Sequence, residues 1–144
     1  MVNAGRSYSN LTSTHAVLLT DRPLETATSL LSYIERVDVT IRAQLREVAW
    51  RGAANKKAVL IFAEQDDYYQ YLAYYLKEGI QPASGGVCIP WGFTHIAMPW
   101  RDETSAANTV AHELTHDCLA HLRLPRWLDE GAATAALICH CLSG

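Results

Sequence analysis

The chain has 144 residues, room for one domain with a real hydrophobic core. Its 49% hydrophobic and 19% charged residues exclude a disordered chain, and its eight Gly and five Pro exclude collagen-like or low-complexity sequence. A net charge of -3, from 12 basic and 15 acidic residues, lacks the basic footprint of a nucleic-acid binder, and no apolar run reaches the roughly 20 residues that cross a bilayer.

Residues 1–10 are polar and lack the apolar stretch of a signal peptide, and residues 1–13 are expected to be flexible. Residues 15–20 (HAVLLT) form a short apolar run that predicts a buried strand. Asp21-Arg22-Pro23 then predicts a helix start with Asp21 as cap. Leu24, Ala27, Leu30, Leu31, Ile34, Val37, Ile41, Leu45 and Val48 recur at helical spacing, so one long amphipathic helix is expected to run to about Arg51-Gly52. Residues 58–63 (AVLIFA) predict a second buried strand, parallel to the first.

Residues 66–78 predict a second helix, stopped by Gly79 and carrying five tyrosines whose rings pack while their phenol tips reach solvent. After Ser84-Gly85-Gly86, residues 87–90 and 94–99 predict a hairpin around Trp91-Gly92-Phe93. Pro90 and Pro99 put at least one of its strands at a sheet edge. Residues 105–122 predict a third helix capped by Thr104 or Ser105, and a fourth starts near Arg126 with Pro125 at its first position. The expected architecture is an α+β fold: a small mixed sheet with an antiparallel edge hairpin, packed on the third helix and flanked by the others.

Four cysteines, Cys88, Cys118, Cys139 and Cys141, are an ordinary number for a reduced protein of this size. Cys139-His140-Cys141 lacks the two-residue gap of a zinc knuckle and reads as helix packing.

The informative stretch is VAHELTHDCLAHLRLPRWLDEG, residues 110–131. His112-Glu113-Leu114-Thr115-His116 is an HExxH. On a helix, side chains four apart stand one above the other, so both imidazoles can reach one Zn²⁺ at about 2.0–2.1 Å. Glu113 projects beside that face and can reach an attacking water without taking a ligand position. A catalytic zinc needs a third protein ligand. A metzincin would place Gly and His where this chain has Leu119 and Leu122, so that class is excluded. His121 is out of register, and Asp117 points roughly 100° away from His116. Glu130 is the best candidate. The third helix runs on about 9 Å past His116, and the fourth climbs back about 6 Å to Glu130 at 1.5 Å per residue. Asp129 is the rival, pointing to another side, and either carboxylate also suits a helix N-terminus.

HELTH followed by LPRWLDEGAA resembles the gluzincin metallopeptidases, specifically the peptidase MA-like domains with an HExxH…WxxEG pattern. The resemblance extends to the Gly-Gly loop and hairpin before the third helix, and covers about a third of the chain in its motif region. It implies a zincin-like fold, one Zn²⁺ held by His112, His116 and Glu130, and Glu113 as general base. It also implies an edge strand at residues 94–98 that pairs with extended peptide substrate, with His95 and Ala97 as the substrate contacts. His95 on its own reads as a solvent-facing strand residue. Larger members add a helical subdomain that supplies a Tyr or His to the oxyanion, so the chain resembles a minimal form or the zinc-binding core of a longer enzyme.

The function expected from these residues is zinc-dependent hydrolysis of a peptide or protein substrate. The alternatives are a zincin domain that binds metal or a partner without hydrolysis, and a structural domain without metal. No nucleic-acid partner and no membrane span are expected. An unpaired edge at residues 94–98 invites self-association, unless residues 139–144 cover it.

Overall fold

A computed structural model describes residues 7–49, 56–76 and 85–142, the last six without their side chains. Five strands form one mixed sheet: β1 (Ser9–Thr12), β2 (Ala16–Thr20), β3 (Lys57–Phe62), β4 (Val87–Ile89) and β5 (His95–Pro99). Four α-helices accompany them: α1 (Leu24–Leu45), α2 (Gln65–Ala73), α3 (Glu103–Leu119) and α4 (Arg126–Leu142). The sheet order is β1-β2-β3-β5-β4, with β2, β3 and β5 parallel and both outer strands antiparallel to their neighbours. The α+β expectation, with a parallel pair flanking a long helix, matches this arrangement.

Alternation along the strands sorts the core into two layers. Leu18, Val59, Ile61, Ile96 and Met98 face α1 and α3, where Leu30, Ile34, Val37, Val110 and Leu114 complete the larger cluster. Each such aliphatic side chain, fully buried, contributes about 1.5–3 kcal/mol, so this layer fixes α3 to the sheet. The opposite face carries Phe62, Ile89 and Ala97 against Tyr68 and Leu72 of α2. α4 packs along α3. Among the described residues no helix is long and apolar enough to cross a membrane.

Several expectations change. Residues 9–12, expected to be flexible, are edge strand β1, where Leu11 is the single apolar residue the core needs. Asp21 does not cap α1; the helix begins after Pro23 without a side-chain cap. α1 also stops at Leu45, because Arg46 takes a positive φ of 51° and only one 3-10 turn follows, leaving Val48 exposed. The cap of α3 is Asp102, whose Oδ1 accepts from the Ser105 N–H at 2.8 Å and whose Oδ2 accepts from the Ser105 hydroxyl at 2.7 Å. α2 ends at Ala73 and residues 74–76 are non-helical, so the helix expected to run to residue 78 is shorter. Gly79 lies outside the described residues, as do the side chains of Cys139, His140 and Cys141.

The largest correction concerns the sheet edge. β5 is paired on both sides, by β3 and by β4, so residues 94–98 are not an open edge. The edge on that side is β4. Its approach to α3 depends on Gly86. A Cβ there would lie 2.6 Å from Thr109 Cγ2, 3.0 Å from Met98 Cβ and 3.1 Å from the Ala97 carbonyl oxygen.

Candidate metal centre

Two helices build the centre. α3 is held by its apolar side, Val110, Ala111, Leu114 and Cys118, against the sheet and α1. That leaves His112 and His116 half-buried on its other side. α3 closes with a 3-10 turn, after which Arg123 adopts the left-handed conformation, φ 47° and ψ 48°. Pro125 then opens α4, its carbonyl accepting from Leu128 N–H and Asp129 N–H. The reversal returns Glu130 to the level of the histidines.

His112 Nε2 and His116 Nε2 are 3.0 Å apart. Glu130 Oε2 lies 3.3 Å from the first and 3.7 Å from the second. A tetrahedral ion with bonds of about 2.0–2.1 Å separates its ligand atoms by about 3.3 Å. The triangle therefore has the dimensions of three ligand corners, and among the described residues this is the group whose donor atoms can hold a metal ion.

The protonation pattern also fits. His116 Nδ1, the ring nitrogen opposite the one that faces Glu130, lies 2.9 Å from Asp129 Oδ2. Burial, then the adjacent His116, hold His112 below the ordinary imidazole range, against the opposing pull of Glu130 and Asp129. A neutral imidazole is the form that ligates.

Glu113 is 4% exposed and sits beside the triangle, not within it. Its charge helps raise the Cys88 thiol, which burial and Asp117 also push up, to about 12. A cavity of about 380 Å³ opens between the β4–β5 hairpin and the end of α3, lined by Cys88, Pro90 and Thr94 from the hairpin and by His116, Ala120 and Asp129 among others.

The structure thus brings together His112, His116 and Glu130. It does not bring His95 or Ala97 to them. Both side chains are buried on the α2 face of the sheet, the side away from α3. His95, read as solvent-facing, is 8% exposed and bonded at both ring nitrogens. The sequence offers Asp129 as a rival ligand or a helix charge. Its approach to His116 escapes sequence reasoning, although a carboxylate adjacent to Glu130 is the available signal. Asp117 pairs with Lys57 and not with the centre.

No protein-family model matches the sequence, and no curated protein matches it either.

Proposed function

We propose that the chain is a zinc-dependent peptide hydrolase of gluzincin type with a zincin-like fold. The observation that carries this reading is the 3.0, 3.3 and 3.7 Å triangle of His112, His116 and Glu130, drawn from two helices with Glu113 one residue along from a ligand. Two imidazoles and one carboxylate suit zinc, and three protein ligands leave a position open, as a catalytic site requires. Bound there, zinc supplies Lewis acidity towards the scissile carbonyl and acidifies water to a pKa of about 7.

The chain's own residues supply the rest. Glu113 accepts the proton of the attacking water and passes it to the leaving amine. Asp129 keeps His116 in the ligating tautomer and orientation. The strand that pairs with extended peptide is β4 rather than β5, because β4 is the edge beside α3.

Metal analysis of the purified protein, with peptide hydrolysis by the native chain and by Glu113→Gln, tests the proposal. One zinc per chain is expected, retained in Glu113→Gln, with hydrolysis lowered about 10²–10⁴-fold. Absence of zinc affinity, or iron in its place, removes the reading. Full zinc occupancy with no hydrolysis of any peptide supports the non-catalytic metal-binding domain instead.

A further inference from the structure

Where α3 gives way to α4 the chain turns a corner, residues 120–128, that is exposed throughout except at the half-buried Leu124. Successive side chains standing in water on every side make this corner convex. Three of them are large and apolar: Leu122 at 41%, Trp127 at 75% and Leu128 at 40% exposure. Two more are the arginines Arg123 and Arg126. The run from His121 to Leu128 (HLRLPRWL) interleaves cations with apolar bulk and holds no carboxylate.

Both arginines sit where local structure disfavours them. Arg123 takes φ 47° and ψ 48°, the left-handed conformation that glycine or asparagine adopts at least cost at a helix end. Arg126 opens α4, where the helix dipole favours an anion over a cation. Neither guanidinium has a carboxylate partner among the described residues. The acidic residues on either side of the corner are engaged elsewhere: Asp117 by Lys57, Asp129 by His116, and Glu130 by the histidine pair. Other residue types would serve the fold better at both positions, which marks their charge as directed outward.

Shape and chemistry together select the partner. A protein would need a concave, matching face to receive Trp127. Nucleic acid offers phosphates but nothing for Leu122 and Leu128. The surface of an anionic bilayer offers both parts, because its headgroups pair with guanidinium and its acyl boundary takes tryptophan and leucine. A bilayer also deforms around a convex tip. The chain as a whole carries a net charge of -3, so a cationic corner orients it on such a surface instead of attracting it from every side.

We propose that the α3–α4 corner docks the chain peripherally on an anionic membrane surface, with Leu122, Trp127 and Leu128 at headgroup level and Arg123 and Arg126 on lipid phosphates. Ala120, His121 and Asp129 bracket the corner and line the cavity, so docking holds the metal centre beside the lipid surface. The inference goes beyond peptide hydrolysis and does not depend on it.

The purified full chain is sedimented with vesicles of phosphatidylcholine alone and of equal parts phosphatidylcholine and phosphatidylserine. Binding is expected to the mixed vesicles, weakened by salt, with little to the neutral ones. Arg123→Asn and Arg126→Gln are each expected to lower the partition coefficient about fivefold. Trp127→Ala lowers it about tenfold. Lipid brominated on its acyl chains quenches part of the tryptophan fluorescence, and Trp127→Phe lacks that part. Arg101→Gln, an exposed arginine beyond the opposite end of α3, keeps the native affinity. Asparagine suits the left-handed conformation, so Arg123→Asn keeps or raises the unfolding midpoint while losing lipid, a split that a purely structural role would not produce.

No binding to the mixed vesicles, or equal binding to the neutral ones, overturns the inference. So does a loss in Arg101→Gln as large as in Arg123→Asn, or quenching that survives unchanged in Trp127→Phe. Corner substitutions that alter self-association or retention on an acidic peptide, with vesicle binding unchanged, assign the surface to a protein partner and overturn it as well.

Discussion

Asp129 Oδ2 lies 2.9 Å from His116 Nδ1, on the ring nitrogen opposite the one that faces Glu130. Adjacent residues on α4 thus act on the two sides of one imidazole. Glu130 lies on the Nε2 side of the ring and Asp129 on the Nδ1 side. Because i and i+1 point about 100° apart on a helix, this needs α4 to cross His116 along a line between the two carboxylates.

Asp129→Ala is therefore expected to weaken zinc about 10–100-fold without unfolding the chain. Competition against a chromophoric chelator reads the affinity, and circular dichroism reads the fold. Asp129→Asn, which keeps an acceptor oxygen but loses the charge, should fall between the two. Unchanged zinc affinity in Asp129→Ala would show that His116 is oriented by packing alone.

Gly86 sets the distance between the edge strand and α3. With Thr109 Cγ2 at 2.6 Å and backbone oxygen at 3.1 Å, a methyl group at this position must push β4 off α3. Gly86→Ala is expected to cost about 1–3 kcal/mol, read from urea or thermal unfolding. Thr109→Ala should restore only part of the loss, because the Met98 and Ala97 contacts remain. Full rescue would mean that Thr109 alone limits the approach.

The parts of this architecture legible in the sequence are those set by local spacing. His112 and His116 are four apart on a helix whose apolar side is explicit, so their convergence follows from the helix alone. Glu130 adds one more local fact, the chain reversal at Arg123 and Pro125. The edge strand was not legible in this way. Val87–Ile89 and His95–Pro99 are both short, and which of them pairs with β3 depends on a contact distant in sequence. His95 reads as a solvent residue in the sequence because its polar ring is satisfied by Tyr71, 24 positions away on α2. β1 hid for a related reason, since an outer strand with one half-buried leucine leaves almost no apolar pattern.

Glu35 ties α1 to the start of β2. Its carboxylate accepts from the Ser13 hydroxyl, from His15 N–H at 2.5 Å and from His15 Nδ1 at 2.8 Å. Burial alone would raise its pKa, but these hydrogen bonds outweigh burial and bring it from 4.5 to about 2. A carboxylate depressed in the folded state contributes stability that is present above its unfolded pKa and fades as pH falls through the folded one. The contribution is thus complete above about pH 4.5 and is lost between there and about pH 2. Glu35→Gln is expected to lower stability at neutral pH by about 1 kcal/mol and to match the native chain near pH 2. Parallel urea titrations across that range check it, and a constant gap at every pH would assign the effect to packing.

Tyr68 and Tyr71 stand three residues apart on α2 and should respond oppositely to loss of their hydroxyls. The Tyr71 hydroxyl donates to His95 Nε2 at 2.6 Å, and His95 is buried. Removing that donor leaves a buried ring nitrogen unsatisfied, which costs about 1–3 kcal/mol. The Tyr68 hydroxyl is buried with no hydrogen-bond partner among the described residues. Burial, and then the charge of Glu113, raise its pKa, so it stays a neutral phenol throughout the working range. An unsatisfied buried hydroxyl is itself a liability, and its removal leaves the ring contacts with Phe62 and Tyr69 in place. Tyr71→Phe is therefore expected to lower the unfolding midpoint, and Tyr68→Phe to leave it unchanged or raise it. Both are read by the same thermal or urea unfolding experiment in zinc-free protein, which keeps metal affinity out of the comparison. Equal destabilisation by the two substitutions would mean that Tyr68 has a polar partner in solution, and equal neutrality would remove the His95–Tyr71 bond as the anchor of the hairpin tip.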